Sequence, residues 1–260
     1  VTTLPLHALL FAHTPPPMTD SKDIPALIAD MGAKAKRAAR VLAGATTAQK
    51  RAALEAMAQA IRAATPAIIA ANALDMEAGR ANGLSEAMLD RLLLDDARVA
   101  GIADAVAQVA TLDDPVGQVI DRATRPNGLA LSRVRVPLGV IGIIYESRPN
   151  VTADAAALGL GAGNAVILRG GSEAVHSNRA IHHAMVGAIA ASGLPTDAVQ
   201  LMPTQDRAAV GAMLGAAGLI DLVIPRGGKS LVARVQAEAR VPVLAHLDGI
   251  NHSYVDKAAD

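Results

Sequence analysis

Two short segments of the sequence combine an arginine, a pair of glycines and a predicted helix start, and each follows an apolar run typical of a buried strand. The segments are Arg169-Gly170-Gly171-Ser172 and Arg226-Gly227-Gly228-Lys229. Glycine lets a ligand approach the backbone, and N–H groups at a helix start attract anions. Arginine and lysine add positive charge suited to phosphate. Either turn alone is typical of an ordinary loop, whereas two basic turns in one sheet favour a site for a phosphorylated nucleotide.

A third polar segment follows the apolar run Val140–Tyr145, and it reads Glu146-Ser147-Arg148-Pro149-Asn150. The side-chain amide of Asn150 can donate a hydrogen bond to a developing oxyanion. Arg148 can pair with a carboxylate or phosphate of a substrate. Both residue types are also common in turns and solvated loops, so the residues alone leave the functional and the structural interpretation open.

One further glycine-rich segment, Gly159–Gly163, resembles the dinucleotide-binding fingerprint. Its glycines lack the spacing of that fingerprint, and the segment follows a predicted helix and precedes a predicted strand, which reverses the required order. We therefore interpret it as a tight connection from a helix to a strand.

The histidines predict no metal site. His182 and His183 are adjacent, so on a helix their side chains point about 100° apart and cannot share a metal ion. His246 and His252 flank Asp248-Gly249 without a third ligand in register, which favours a structural role.

The composition excludes several function classes. The chain has 260 residues, of which 52% are hydrophobic and few are aromatic, so a sizeable aliphatic core can form. The 24 basic and 24 acidic residues balance, and charge gives no reason to expect nucleic acid or an anionic membrane as a partner. Cysteine is absent, which excludes disulfides and thiol nucleophiles within the chain. No apolar run is long enough to span a membrane, and we expect a cytoplasmic protein.

The first 22 residues are expected to form a disordered extension. They lack a basic signal region and a clean cleavage site, and they end close to Pro15-Pro16-Pro17. We expect the chain to start either at Val1, read from an alternative start codon, or at Met18.

The apolar pattern of residues 23–115 predicts a series of helices. Apolar residues recur there at the i, i+3, i+4 spacing of amphipathic helices. Thr46 and Gln49 form the pattern of a capping box, and Ser85 is a typical N-cap. Single residues of such helices are expected to serve packing rather than chemistry.

Residues 116–136 predict a β-hairpin. Asn127-Gly128 is a strong turn signal between two partly alternating segments. Arg133 and Arg135 alternate with valines, so one face of the ribbon is expected to be charged and exposed. A solvated hairpin of this length rarely stands alone. It is expected either to pack on another subunit, as an oligomerisation hairpin, or to form an edge ribbon on its own domain.

Residues 137–260 alternate between strand and helix patterns. A helix over Glu173–Ala191, capped by Ser172, is predicted among them. Such alternation predicts an α/β fold with a doubly wound, Rossmann-like parallel sheet. The predicted strands are Val140–Tyr145, Ala165–Leu168, Val199–Met202, Leu219–Ile224 and Val241–Ala245.

Three long motifs carry a family resemblance, and they read VPLGVIGIIYESRPNVTADAAALGLGAGNAVILRGGSEA, DLVIPRGGKSLV and HLDGINHSYVDKAAD. They resemble the gamma-glutamyl phosphate reductases of the aldehyde dehydrogenase superfamily, over roughly residues 26–260. The resemblance implies that 23–115 is the helical part of the cofactor-binding domain and that 137–260 is its Rossmann-like, NADP-binding core. It also implies a homo-oligomer and an aldehyde-dehydrogenase-like fold.

The resemblance implies an NADPH-dependent reduction in proline biosynthesis. A cysteine thiolate attacks γ-glutamyl phosphate, phosphate leaves and a thioester forms, and hydride from NADPH then yields glutamate 5-semialdehyde. The family's cysteine lies downstream of Tyr254–Lys257, so we expect this cysteine-free chain to lack the catalytic domain and turnover. The alternatives are a non-catalytic nucleotide-binding fragment or module, and another aldehyde dehydrogenase. The common members of that superfamily carry an aromatic residue in the Glu146–Asn150 elbow, which disfavours the latter.

The resemblance also assigns roles to individual residues. Asn150 takes the place of the oxyanion donor. The substrate-binding role of Arg148 rests on its charge alone and is not part of the resemblance. Arg169 stands where the superfamily usually has lysine, and an arginine there suits the 2′-phosphate of NADPH. Asp248-Gly249 falls where related dehydrogenases carry a glutamate base. The implied cofactor-binding residues are Glu146, Ser147, Arg169, Gly170, Glu173, Arg226, Gly227, Gly228 and Lys229.

Overall fold

A computed structural model describes residues 23–245 and 251–259 of the chain. The predicted extension 1–22 lies outside these residues, as do His246 and Asp248-Gly249. The interpretations attached to those positions therefore stay predictions.

Five helices form the N-terminal region, as the apolar spacing predicts. Both halves of the predicted capping box are present, because the Gln49 N–H bonds the Thr46 hydroxyl and the Gln49 side chain accepts the Thr46 N–H. Ser85 caps α4 as expected. The helices are α1 Ile24–Ala43, α2 Thr47–Ala63, α3 Thr65–Ala81, α4 Glu86–Leu92 and α5 Asp96–Thr111.

The predicted hairpin is present, with β1 at Val119–Thr124 and β2 at Ala130–Val134 in antiparallel register. Gly128 adopts φ +85°, which the tight turn requires. Every residue of both strands is exposed. The prediction of a single exposed face was therefore too narrow, because neither face packs on the described residues.

A four-stranded parallel sheet forms the centre of the C-terminal region, in the order β5-β4-β3-β6. All of β3 and most of β4 are buried, which explains why both segments read as continuous apolar runs. The α/β, doubly wound arrangement is thereby confirmed. The strands are β3 Val140–Tyr145, β4 Ala165–Arg169, β5 Val199–Leu201 and β6 Leu222–Arg226, and the helices are α6 Asn150–Gly161, α7 Val175–Ala191, α8 Ala208–Leu214 and α9 Lys229–Glu238.

The helical region and the sheet share one hydrophobic core that runs from α1 to the segment after α9. Lys36 of α1 forms an ion pair with Asp221, with Nζ to Oδ1 at 2.7 Å, which adds a polar contact between the helical region and the sheet. Asp221 also accepts the backbone N–H of Val140 at 2.8 Å. No helix within residues 23–245 and 251–259 combines the length and the apolar character needed to cross a membrane.

Two local predictions were wrong. The segment Val241–Ala245 is not a fifth strand, since only an isolated bridge joins Val243 to Val223 of β6. A sheet edge that contains Pro242, which has no N–H to donate, favours so short a pairing. Ser172 does not cap α7, because a 3₁₀ turn separates them.

A distant aspartate stabilises the start of α7 instead. Asp75 of α3 accepts the backbone N–H groups of His176 and Ser177, at 3.1 and 2.7 Å. Asp75 is buried, so these two bonds provide partners both for a buried carboxylate and for two N–H groups at the start of the helix. The predicted connection Gly159–Gly163 is confirmed, since it closes α6 and leads into β4.

Candidate functional site

The strand order brings the three polar segments to one edge of the sheet. β3 is central, and the chain moves outward from it to β4 and β5 on one side and to β6 on the other. Ligands of such sheets bind at the carboxyl ends of the strands where this order reverses. The two Arg-Gly-Gly turns, which follow β4 and β6, therefore lie on either side of the end of β3.

The turn after β4 is closed by a carboxylate. Glu173 accepts hydrogen bonds from the backbone N–H and the hydroxyl of Ser147, and the Oγ to Oε1 distance is 2.9 Å. Ser147 has φ +47°, the one positive value among the described non-glycine residues. Such strain is common where a backbone is held for function. A Cβ at Gly171 would overlap the Glu173 carboxylate, so a larger residue there would displace that carboxylate.

Arg169 lies half-buried beside this turn and is only partly satisfied. Its guanidinium donates to the carbonyl oxygens of Gly170 at 3.2 Å and Gln205 at 3.0 Å. Its Nε and the side-chain Oε1 of Gln205 are buried, and neither makes a hydrogen bond within residues 23–245 and 251–259. Buried polar atoms without partners are rare and costly, so this donor and this acceptor fit a polar ligand.

Charges of both signs surround Arg169. Burial lowers the pKa of its guanidinium, Glu173 opposes that shift, and Arg207, Glu146 and Arg234 exert smaller effects. Three arginines and two glutamates therefore interact at this edge of the sheet. Sequence reasoning missed Arg207 and Arg234. Arg207 was detectable, because it directly precedes the helix that follows β5 and so repeats the position of a basic turn residue.

The turn after β6 has a different arrangement. The Glu146 carboxylate accepts the N–H of Gly228 at the start of α9, at 2.9 Å. The backbone N–H of Glu146 donates to the carbonyl of Arg226 at 3.2 Å. A Cβ at Gly227 would overlap the same carboxylate. This helix start therefore already holds an anionic group, which is the chemistry predicted for it.

A buried network of hydrogen bonds lies against the turn after β4. The Tyr145 hydroxyl lies 2.6 Å from Thr152 Oγ1, which donates to Asn178 Oδ1 at 2.9 Å. Burial raises the pKa of Tyr145, so the phenol stays protonated. Asn178 and Tyr145 also leave no space for a side chain at Gly170. These hydrogen bonds fix the end of β3 against α6 and α7. Buried hydrogen-bond networks in which every group has a partner are rigid.

Asn150 lies at the first turn of α6, and its amide Nδ2 donates to Asp154 Oδ2 at 2.8 Å. Burial raises the pKa of Asp154, and the bond from Asn150 partly offsets that effect. Both residues line a cleft of about 320 Å³ against α4 and α5. Arg148 is exposed, and its side chain makes no hydrogen bond or ion pair with the described residues.

The predicted residues therefore fall into two groups. Glu146, Ser147, Arg169, Glu173 and the glycines of both turns meet at the end of β3, whereas Asn150 contributes to the cleft beside α5. The exposed side chains of Arg226 and Lys229 lie at the border of the first group. Within residues 23–245 and 251–259, no group of three or more His, Cys, Asp or Glu could hold a metal ion.

Comparison with known proteins identifies the fold family. A family profile described as the aldehyde dehydrogenase family matches residues 17–260. The chain belongs to the aldehyde dehydrogenase family. The α/β fold with helical region and hairpin is that of aldehyde dehydrogenases, as predicted, and the family uses a nicotinamide cofactor.

Within the aldehyde dehydrogenase family, the relatives of high sequence identity include several gamma-glutamyl phosphate reductases. Gamma-glutamyl phosphate reductase of Sphingopyxis alaskensis is 74% identical over 235 residues, covering 90% of this chain and 55% of that protein. The one of Rhizorhabdus wittichii is 68% identical over 244 residues, covering 94% and 57%. A crystal structure of the Thermotoga maritima protein of that name matches with a TM-score of 0.81 and 42% identity, over 84% of this chain and 52% of that one. The chain spans about half the length of the curated relatives it matches.

Proposed function

We propose that this chain binds NADPH at the end of β3 and contributes the cofactor-binding part of a gamma-glutamyl phosphate reductase. Such an enzyme converts γ-glutamyl phosphate to glutamate 5-semialdehyde and phosphate, a step of proline biosynthesis. The high identity to curated relatives of that name supports the substrate. The choice of NADPH over NADH rests on the arginines.

The observation that carries the cofactor proposal is the unsatisfied pair at Arg169 Nε and Gln205 Oε1. A phosphate oxygen accepts from the guanidinium, and a hydroxyl beside it donates to the amide oxygen. The 2′-phosphate and the neighbouring ribose hydroxyl of NADPH have both functions. Arg207 and Arg234 lie close enough to lower the pKa of Arg169, so their positive charges would also stabilise a doubly charged phosphate there.

The remaining residues of the site hold other parts of the cofactor. Glu173 uses Oε1 for Ser147, and its Oε2 accepts no hydrogen bond from the described residues, which suits a ribose hydroxyl. Gly227, Gly228 and Lys229 at the start of α9 provide donors and positive charge for the pyrophosphate. The Glu146 carboxylate occupies the Gly228 donor, so a bound pyrophosphate must displace it.

NADPH supplies a hydride when it is bound. Asn150 donates an amide N–H to the oxygen that gains charge as the acyl group is attacked, and Asp154 fixes the amide orientation through its own hydrogen bond. One N–H of the amide remains for the substrate. The thioester step needs a thiol, and this chain contains no cysteine. By itself the chain is therefore proposed to act as a nucleotide-binding module.

Thermal unfolding with each nucleotide tests the cofactor assignment. NADPH at saturating concentration is expected to raise the midpoint temperature of the 260-residue chain more than NADH does at the same concentration, because only a ligand that binds the folded state stabilises it. Equal stabilisation by the two nucleotides contradicts the role of Arg169. NADPH oxidation with γ-glutamyl phosphate tests the mechanism, and turnover by the cysteine-free chain contradicts it.

The hairpin is proposed as a contact between subunits. Its strands are fully exposed and carry large apolar side chains, which makes an unpaired edge prone to association. The exposed apolar residues on and beside it are Val119, Ile120, Leu129, Leu131, Val134, Val136 and Leu138. Light scattering is expected to detect self-association, and a monodisperse monomer contradicts the proposal.

A further inference from the structure

The cleft that contains Asn150 lies between the first turns of α6 and the facing surfaces of α4 and α5. Apolar atoms of Ile102 and Ala105 form part of its wall, and the ionisable groups that line it are Arg91, Arg98 and Asp154. A volume of about 320 Å³ is enough for a small amino acid. A mostly apolar cleft with a few convergent polar groups is the usual form of a small-molecule site.

The three charged groups of the cleft differ in what they already bind. Arg98 is engaged, because it donates to the backbone carbonyls of Asp90 and Leu93 and to the Asp90 carboxylate. Asp154 is partly buried, and its carboxylate makes no ion pair with the described residues and accepts one hydrogen bond, from Asn150. The side chain of Arg91 makes no hydrogen bond or ion pair within residues 23–245 and 251–259.

We infer that this cleft binds the α-amino acid end of the substrate, with Asp154 taking the ammonium group and Arg91 the carboxylate. The inference rests on the proposed function, which places the acyl oxygen at Asn150. Two methylene groups separate the acyl carbon of a glutamyl group from its α-carbon. Asn150 and Asp154 are i, i+4 neighbours on α6, about 5–6 Å apart at their Cβ atoms, so the spacing of the two side chains matches the substrate.

The charge pattern explains how the cleft selects a glutamyl substrate. A partly buried carboxylate without a cationic partner is costly, and a ligand ammonium relieves that cost. A simple aldehyde has no such group, so it leaves Asp154 and Arg91 without partners. Sites built for a charged or hydrogen-bonding group reject analogues that lack it more strongly than sites built for apolar groups do.

A chemical-shift titration of the 260-residue chain tests the inference. The probe is L-glutamine, which has the α-amino acid end and an uncharged γ-carbonyl group. The comparison ligands are glutaramate, which lacks the amino group, and 4-aminobutanamide, which lacks the carboxylate. L-glutamine is expected to bind about tenfold or more tightly than either, as expected for the loss of a charge-assisted hydrogen bond. Absence of L-glutamine binding, or equal binding of all three ligands, overturns the inference.

The variant Asp154→Asn separates recognition from structure. Its amide oxygen still accepts the bond from Asn150, so the fold of α6 is retained, but the negative charge is lost. The preference for L-glutamine over glutaramate is expected to disappear in this variant. It is expected to persist in Asp96→Asn, which removes an exposed charge from the first turn of α5 outside the cleft. A preference that survives Asp154→Asn overturns the assignment.

The variant Arg91→Gln tests the carboxylate contact in the same way. The preference for L-glutamine over 4-aminobutanamide is expected to fall to about twofold or less, while the preference over glutaramate remains. An unchanged preference over 4-aminobutanamide overturns the role of Arg91.

Acidification provides a second readout. Burial raises the pKa of Asp154, and protonation removes the charge that holds the ammonium. The preference for L-glutamine over glutaramate is therefore present at neutral pH and lost as the pH falls, at a pH above the ordinary aspartate value of about 4. A preference that is constant down to that value overturns the contact.

NADPH binding by the same samples distinguishes this inference from the proposed function. A chain that binds NADPH without an Asp154-dependent preference overturns the inference and leaves the cofactor assignment intact. A chain with that preference but without NADPH binding supports the inference and removes the cofactor assignment.

Discussion

The turns after β4 and β6 share an arginine, two glycines and a helix start, yet they differ in what their charges contact. Arg169 is half-buried, with a guanidinium nitrogen that no described residue satisfies. Arg226 is exposed, and the helix donor beside it is taken by Glu146. The first turn is therefore suited to recognise a particular group, whereas the second is suited to hold an exchangeable anion.

The position of each strand in the sheet explains the difference. β4 has a partner on each side, and the loop after β5 covers Arg169 through the carbonyl of Gln205. β6 has β3 on one side and a single bridge to Val243 on the other. Neighbouring segments desolvate the arginine after β4 and supply its hydrogen bonds, whereas the arginine after β6 stays exposed. The same residue type therefore has a different role in each turn.

The largest expected effect comes from the two arginines. Arg169→Ala is expected to weaken NADPH binding about 10- to 100-fold, because it removes a charge-assisted contact to phosphate. Arg226→Ala, the matched control, is expected to change it less than about threefold, as is typical of exposed charges. Isothermal titration calorimetry measures both. An equal loss of NADPH affinity in the two variants would contradict the distinction between the turns.

A smaller effect is expected from Gly171→Ala. Gly171 has φ −62° and ψ 159°, which alanine adopts without strain, so the substitution isolates the overlap with Glu173. We expect about 1–3 kcal/mol of lost stability, because the carboxylate must leave Ser147. Chemical denaturation measures the change.

Gly187→Ala in α7 is the control for that substitution. A Cβ there meets open space, so alanine is expected to stabilise the chain by up to about 1 kcal/mol through helix propensity. If Gly171→Ala is equally stabilising, Glu173 does not close the turn after β4.

The smallest expected effect concerns the turn after β6. Glu146→Gln removes the negative charge that competes with a pyrophosphate for the Gly228 donor. NADPH affinity is expected to rise about three- to tenfold, in line with the loss of one repulsive charge near a partly exposed site. Competitive displacement of a fluorescent nucleotide measures the rise. A fall in affinity would assign Glu146 to direct contact with the cofactor.

Most of the fold could be predicted because its signals are local. The apolar runs of β3 and β4, the capping box at Thr46 and the Asn127-Gly128 turn all depend on residues close in sequence. The cap of α7 could not be predicted, since Asp75 lies about a hundred residues from the helix that it stabilises. The predicted strand Val241–Ala245 is only a bridge at Val243, because pairing at the sheet edge depends on tertiary structure.

The site was predictable in its residue types but not in its pairings. Arginine and glycine in both turns indicate phosphate, and the structure brings those turns to the same edge of the sheet. The contacts of Glu173 with Ser147 and of Glu146 with Gly228 join residues on different strand ends. Arg207 repeats the position of a basic turn residue before a helix, but Gln205 comes from a loop without a motif, so no pattern in the sequence connects Gln205 to Arg169.

The crevice at Arg169 is proposed to recognise a 2′-phosphate. Titration of the 260-residue chain with adenosine 2′,5′-bisphosphate and with adenosine 5′-monophosphate tests it most directly, since the two ligands differ only in that group. The bisphosphate is expected to bind about tenfold or more tightly. Equal affinity for the two nucleotides would contradict the account.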